Sequence, residues 1–262
     1  MTASPPRPLR IAAWQCRSLP GDVPANLARL EDAAERAAGQ GADVLVTPEM
    51  FATGYDIGAE RTRALAEPAD GPLFEAVAAI TRRTAVAVAY GYPERLADGR
   101  IANAAQVVDG GRVVGAHRKA HLFGGLDQER FAPAEARPAP FDLRGRRVGM
   151  LICYDVEFPE AVRSLALEGA EAVLVPTANM MPYELVSTVV VRARAYENGV
   201  TVAYANYCGE EGAQVYAGLS TVCGADGSVR ALASTGDEEL LVADAGGVPA
   251  PYLRDRRGDL FG

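Results

Sequence analysis

The stretch RRVGMLICYDVEFPE, residues 146–160, decides how the chain is read. Its first half, RRVGMLIC (146–153), is apolar and has the length of a buried strand. Its second half turns polar, and Pro159 stands where the first turn of a helix tolerates proline. That helix is expected to stop near Gly169, ahead of a further apolar strand, EAVLVPT (171–177). Strand, turn, helix and strand in that order argue for a layered α/β fold with covered sheets. The residue at the junction, Cys153, is then either a small core side chain or a nucleophile on a strand end.

The same alternation runs outward from this unit in both directions. LRIAAWQC (9–16) and ADVLVTP (42–48) read as buried strands. Between them a helix over about 23–38 places Leu27, Leu30, Ala34 and Ala37 on one face. A helix over about 72–83 leads to the strand AVAVAYGY (85–92), and residues 102–119 form a hairpin turning at Asp109-Gly110-Gly111. A polar loop with several prolines, about 120–140, interrupts the pattern. Past 177, Pro182 and Gly199 frame PYELVSTVVVRARAYEN as a helix, and four short strands follow. No linker and no repeat is apparent. The expected organisation is a flexible tail over 1–8, one domain over 9–250, and a polar arm over 251–262 that is either solvated or laid on a partner subunit.

Composition narrows the function. The chain has 262 residues, 49% hydrophobic and 23% charged, with a formal net charge of −8. Nothing in that balance favours capture of nucleic acid or an anionic membrane. No run of about 18 apolar residues predicts a membrane span, and MTASPPRPLR lacks the apolar core of a signal peptide. Four cysteines, Cys16, Cys153, Cys208 and Cys223, lie far apart without a CxxC pair, as reduced cytoplasmic thiols would. Cys16, Cys208 and Cys223 read as packing residues. Only two histidines are present, His117 and His121. That scarcity argues against a histidine-rich metal site and against an imidazole base, and neither metal nor cofactor is expected.

In layered α/β folds ligands sit beyond the carboxyl ends of the strands. Glu49, Lys119 and Cys153 occupy such ends. Each alone has a bland reading: a turn carboxylate, a surface charge, a buried thiol. Together they make a complete catalytic set. A nearby ammonium favours the thiolate, a carboxylate within reach can accept and later return the proton, and the cation can stabilise an oxyanion.

At this point the sequence resembles the nitrilase superfamily of carbon–nitrogen hydrolases, with its Glu-Lys-Cys triad. TPEMFATGY (47–55) is similar to the family's glutamate segment, HRKAHLFG (117–124) to its lysine segment, and LICYDVEFPE (151–160) to its cysteine elbow. The similarity continues through PTANMMPYE, RARAYENGV and AYANYCG and covers residues 8 to 257. The resemblance implies a four-layer αββα sandwich, assembled as a homodimer or larger homo-oligomer through its helical layers. It implies Glu49 as general base and then acid, Lys119 as oxyanion cation, Cys153 as nucleophile, and the Tyr154 backbone N–H as second oxyanion donor. Asp155 and Glu160 read as turn and cap residues, and His121 as orienting the lysine loop.

One segment departs from the family pattern. Many members carry a further glutamate a few residues past the lysine, before a Phe-x-Pro-Gly turn; here the loop is LFGGLDQERFAPAE (122–135). Alignment on Phe131 puts Asp127 at that position, whereas side-chain type favours Glu129, and Glu129 is the preferred reading. The substrate implied is a small amide. Residues 180–183 are apolar where carbamoyl amino-acid hydrolases place arginines, so a neutral acyl group is expected. Phe51, Tyr55, Asn179 and Met180 are the candidate substrate-binding residues. N-carbamoyl or ω-amide hydrolysis is the alternative, followed by nitrile hydrolysis and, last, a silent scaffold. The sixth residue after Cys153 is Pro159 and not the arginine that grips a phosphate, which argues against a cysteine phosphatase.

Overall fold

Along the first strand, Leu9–Arg17, successive side chains enter different cores. Ile11 and Ala13 pack toward a second sheet, while Ala12, Trp14 and Cys16 pack toward helices. Alternation with both faces buried is the signature of a strand covered on both sides, and it repeats throughout the computed structural model, which describes residues 7–246 and 251–261. Val44 and Val46 face inward and Leu45 outward; Ala172 and Leu174 face inward, Val173 and Val175 outward.

The first sheet runs in the order Gln214–Ala217, Tyr207–Glu211, Leu9–Arg17, Val44–Val46, Ala87–Arg95, Ile101–Asp109, Arg112–Arg118, with Glu239–Ala245 antiparallel to Leu9–Arg17. The second runs Val229–Leu232, Thr221–Cys223, Thr201–Ala205, Ala172–Pro176, Arg146–Met150, Phe141–Leu143. Their centres are parallel, as the helical crossovers require. The helices Val23–Gly39 and Pro72–Thr84 cover the first sheet through Leu30, Ala34, Ala37, Leu73 and Val77. Pro159–Leu167 and Val191–Asn198 cover the second through Val162, Leu165, Val191 and Ala195. Three apolar cores therefore separate four layers, and the expected αββα sandwich is the observed one.

Each layer has a local cause. Val23–Gly39 begins where Asp22 Oδ1 accepts the Ala25 N–H (3.1 Å). The core between the sheets is rich in alanine and valine, among them Ala13, Ala87, Ala89, Ala105, Ala203 and Ala205. Its larger members carry more of the stability: truncating a buried leucine such as Leu174 to alanine costs about 2–5 kcal/mol. The hairpin turns where expected, at Gly110 and Gly111, both at positive φ, where a β-carbon would be strained.

The boundaries differ in three places. The ladder of the strand before Cys153 ends at Met150, and Cys153–Glu157 forms a 3-10 turn. The loop after Lys119 holds a short helix, Gly124–Gln128. Pro182 lies in a turn ahead of its helix, whose first part, Val186–Val190, is π-wound. The expected tail over 1–8 falls mostly outside the described residues, although Arg7 pairs with the buried Asp43 (2.6 and 2.7 Å). Residues 247–250 and 262 also lie outside them. The arm packs on its own chain: the Tyr252 hydroxyl meets that of Tyr196 (2.8 Å), and Leu253 joins the outer core of the second sheet. Among the described residues no helix is long and apolar enough to cross a membrane.

Candidate active site

Glu49, Lys119 and Cys153 come from different layers, and the fold brings them to one place. Glu49 follows the first-sheet strand Val44–Val46, and its N–H donates to the carbonyl of Thr177 (3.2 Å), just past a second-sheet strand. The next residue, Met50, has a φ of 53°, a left-handed kink that re-aims the chain. Gly91 makes room for it: a β-carbon there would lie 2.4 Å from the Met50 nitrogen. Only glycine lets the strand Ala87–Arg95 back onto the Glu49–Met50 peptide so closely.

The Glu49 carboxylate is fully buried and fully engaged. Its Oε1 accepts from Lys119 Nζ (2.7 Å) and Asn103 Nδ2 (2.6 Å), and its Oε2 from the Ala178 N–H (3.0 Å). Lys119 leaves the edge strand Arg112–Arg118, and its own N–H donates to the Asn103 carbonyl (2.8 Å). Its Nζ also donates to Asp127 Oδ2 (2.6 Å). Asp127 is held in turn by the Tyr55 hydroxyl (2.9 Å) and the Phe123 N–H (2.9 Å). One ammonium thus sits between two carboxylates, all three fully buried.

Burial and charge act against one another in this cluster. Burial pushes Glu49 above the usual carboxylate range, and the charge of Asp127 adds to it; Lys119 and Asn103 pull the other way without winning. Burial opposes the charge of Lys119, but Glu49, Cys153 and Asp127 outweigh it and hold the ammonium well above its ordinary value. The cluster therefore favours Lys119 as the cation.

Cys153 opens the 3-10 turn at a φ of 47°, a conformation that a side-chain-bearing residue adopts at a cost. It is partly exposed where Glu49 and Lys119 are fully buried. Burial, then the charge of Glu49, push the thiol well above its usual range, although Lys119, Thr177 and the Ala178 N–H favour the thiolate. The resting sulfur is therefore protonated and needs a base. The same Ala178 N–H donates to Glu49 and acts on the sulfur. The charges of Glu49 and Lys119 both act on the thiol, so acid, amine and sulfur share one neighbourhood.

The other expected residues divide. Of the two candidate acids, the preferred Glu129 has an exposed side chain at the end of Gly124–Gln128, while Asp127 points inward to Lys119. Tyr55 touches the cluster, with its ring 5.8 Å from Lys119 Nζ. Phe51 is packed against Trp14 (5.2 Å) and Met180 is buried, both in the helix-covered core of the first sheet. Asn179 is internally bonded, donating from Nδ2 to the Tyr183 carbonyl (2.9 Å). Tyr154 packs edge-on against Phe123 (5.3 Å) and Phe158 (5.0 Å) beside the sulfur. Sequence reasoning missed Asn103, Thr177 and Ala178. Asn103 left a faint signal, a polar residue near the start of a largely apolar strand. Among the described residues no group of three or more His, Cys, Asp or Glu side chains is placed to hold a metal ion.

Comparison with known proteins gives a consistent result. The profile of the carbon-nitrogen hydrolase family matches residues 10–246. A Pseudomonas protegens protein, named hydrolase in pqqF 5′ region, is 47% identical over 269 residues, spanning 100% of this chain and 93% of that protein. The (R)-stereoselective amidase of a Pseudomonas species is 34% identical over 263 residues, spanning 97% and 93% respectively. A mutant of the amidase from Nesterenkonia sp. AN1, with acrylamide joined by Michael addition to its active-site cysteine, superposes with a TM-score of 0.85. It is 37% identical and covers 97% of this chain and 98% of its own.

Proposed function

The chain belongs to the carbon-nitrogen hydrolase family, and from that premise we propose that it converts a linear amide, R–CO–NH2, to the carboxylic acid and ammonia through a thioester on Cys153. Glu49 takes the thiol proton as sulfur attacks the carbonyl carbon. The developing oxyanion is met by the Lys119 ammonium and the Tyr154 N–H. Glu49 then returns the proton to the nitrogen as the C–N bond breaks and ammonia leaves. Water, deprotonated by Glu49, attacks the thioester carbonyl, and release of the acid restores the thiol. No cofactor takes part in this cycle. The observation that carries the reading is the fully buried ion pair of Lys119 and Glu49, whose carboxylate also accepts the Ala178 N–H, with the Cys153 thiol within reach of both charges. Apolar residues at 180–182 and the absence of arginine from 180–183 support a neutral acyl group. Ammonia release over a panel of neutral aliphatic amides, carboxylate-bearing ω-amides, N-carbamoyl amino acids and nitriles tests it. Turnover of neutral amides is expected; turnover confined to the last two classes overturns the reading.

Asp127 acts in this scheme as the residue that positions Lys119. Asp127→Asn is expected to lower kcat by about 100-fold, the cost of misplacing a catalytic group by roughly 1 Å. Glu129→Gln, a change at an exposed side chain, should stay within about twofold of wild type. The pH profile adds a signed check. Glu49 must be ionised to act as base, so kcat/KM falls as pH drops through its raised pKa. Removing the negative charge of Asp127 lowers that pKa, and the acid limb of Asp127→Asn should move to lower pH. A limb that stays in place or moves upward separates Asp127 from Glu49.

The same reading takes residues 9–250 as one catalytic domain, in keeping with the family match over 10–246. Exposed Leu185, Val189 and Tyr196 on the outer helical layer of the second sheet support assembly of homo-oligomers through that layer. Four free cysteines are consistent with a cytoplasmic location.

A further inference from the structure

Both histidines of the chain converge on one carboxylate two residues beyond Cys153. Asp155 is 1% exposed. Its Oδ2 accepts from His117 Nε2 (2.9 Å) and the Ile152 N–H (3.2 Å). Its Oδ1 accepts from His121 Nδ1 (2.8 Å), the His121 N–H (2.9 Å) and the Ala120 N–H (3.2 Å). A carboxylate only accepts, so the proton lies on Nε2 of His117 and on Nδ1 of His121. The His121 ring also stacks on Phe158, centroids 3.7 Å apart and planes 10° from parallel, at the far end of the turn that Cys153 opens.

Lys119 and Cys153 belong to different sheets, and between the sheets lies a core of apolar side chains, bridged near the site by the Glu49 bonds to Thr177 and Ala178. Apolar packing alone leaves their relative placement soft. Every donor to Asp155 except the Ile152 N–H comes from the lysine segment, residues 117–121, and Asp155 itself is on the cysteine turn. We propose that Asp155, clamped by His117 and His121, is a positioning residue that fixes the cysteine turn to the lysine segment and so sets Cys153 against Lys119. The clamp also supports the left-handed backbone at Cys153, because Asp155 Oδ2 holds the Ile152 N–H immediately before it. The inference rests on the amidase reading for its role in turnover, and its geometry is independent of the substrate.

The test compares donors at fixed positions. His121→Asn places an amide N–H near the site of Nδ1, while His121→Leu fills the space without a donor. His121→Leu should lower kcat about tenfold, as loss of a hydrogen bond to a charged group does, with KM within about twofold of wild type. His121→Asn should restore kcat to within about threefold. Asp155→Asn, which turns one acceptor oxygen into a donor, should lower kcat about 100-fold. Alkylation of Cys153 by iodoacetamide, located by peptide mass, should slow in His121→Leu and recover in His121→Asn. Equal kcat and equal alkylation in the leucine and asparagine variants, whether both normal or both impaired, overturns the clamp. If Asp155→Asn does not fold, the His121 pair decides. If no amide is turned over by the wild-type enzyme, the amidase reading fails and the alkylation rates alone decide the clamp.

Discussion

Replacing Cys153 by alanine should reduce amide turnover by roughly 10⁴- to 10⁶-fold, the range seen when a covalent nucleophile is removed and only binding and oxyanion contacts remain. Cys153→Ser should fare little better. A hydroxyl is a far weaker acid than a thiol, and the site already holds the thiol above its usual range through burial and the charge of Glu49. A base matched to a sulfur in that setting is too weak for oxygen. The fold should survive both changes, since alanine and serine inherit the same backbone at φ 47° that cysteine tolerates. Glycine at this position tests the strain directly. Relief of a left-handed residue is worth about 1–2 kcal/mol, while the added freedom of the unfolded chain costs about 0.4–1 kcal/mol. Cys153→Gly should therefore melt at or above Cys153→Ala while being equally inactive. Steady-state ammonia release, thermal melts and intact mass after incubation with a poor amide read all three variants. An acyl adduct on wild type and none on the alanine variant is the expected mass result. Near-wild-type turnover in Cys153→Ser would remove the thioester route.

Much of this architecture was legible in the sequence, and the places where it was not have physical reasons. The four layers follow from runs such as AAW and VLV that are apolar at every position, which only strands covered on both faces require. Parity within those runs stays hidden, because alanine and valine suit either face; Ile11 and Trp14 are told apart only by the cores they enter. Side-chain type prefers Glu129 over Asp127, whereas it is Asp127 that bonds Lys119. The unexpected helix Gly124–Gln128 turns position 127 inward and leaves 129 at its exposed end. The shorter aspartate suffices because its carboxylate also accepts the Phe123 N–H at the start of that helix. Asn103 was hidden for another reason. A polar residue inside a strand announces burial, not a partner, and its partner Glu49 lies 54 residues away. Tyr55 was expected as a wall and is better described by its hydroxyl, which orients Asp127.

Lys119 is where stability and chemistry can be separated. In Lys119→Met two buried carboxylates, Glu49 and Asp127, lose the cation between them. Removing one partner of a buried ion pair costs about 3–5 kcal/mol, because the remaining charge stays desolvated. Loss of an oxyanion contact lowers kcat by a further factor of roughly 10²–10³. Without the ammonium, burial and the charge of Asp127 act on Glu49 unopposed by Lys119, so its folded-state pKa rises further above the unfolded value. A group raised in that way stabilises below its unfolded pKa, and the stability is lost as pH climbs through the folded pKa. Lys119→Met should accordingly melt higher near about pH 5 than near about pH 8, with a larger difference than wild type. Adding Asp127→Asn removes one of the stranded charges. The double variant Lys119→Met/Asp127→Asn should regain most of the lost melting temperature at neutral pH and none of the activity. Recovery of activity alongside stability would mean that the ammonium serves only the fold, and the oxyanion would then need another cation.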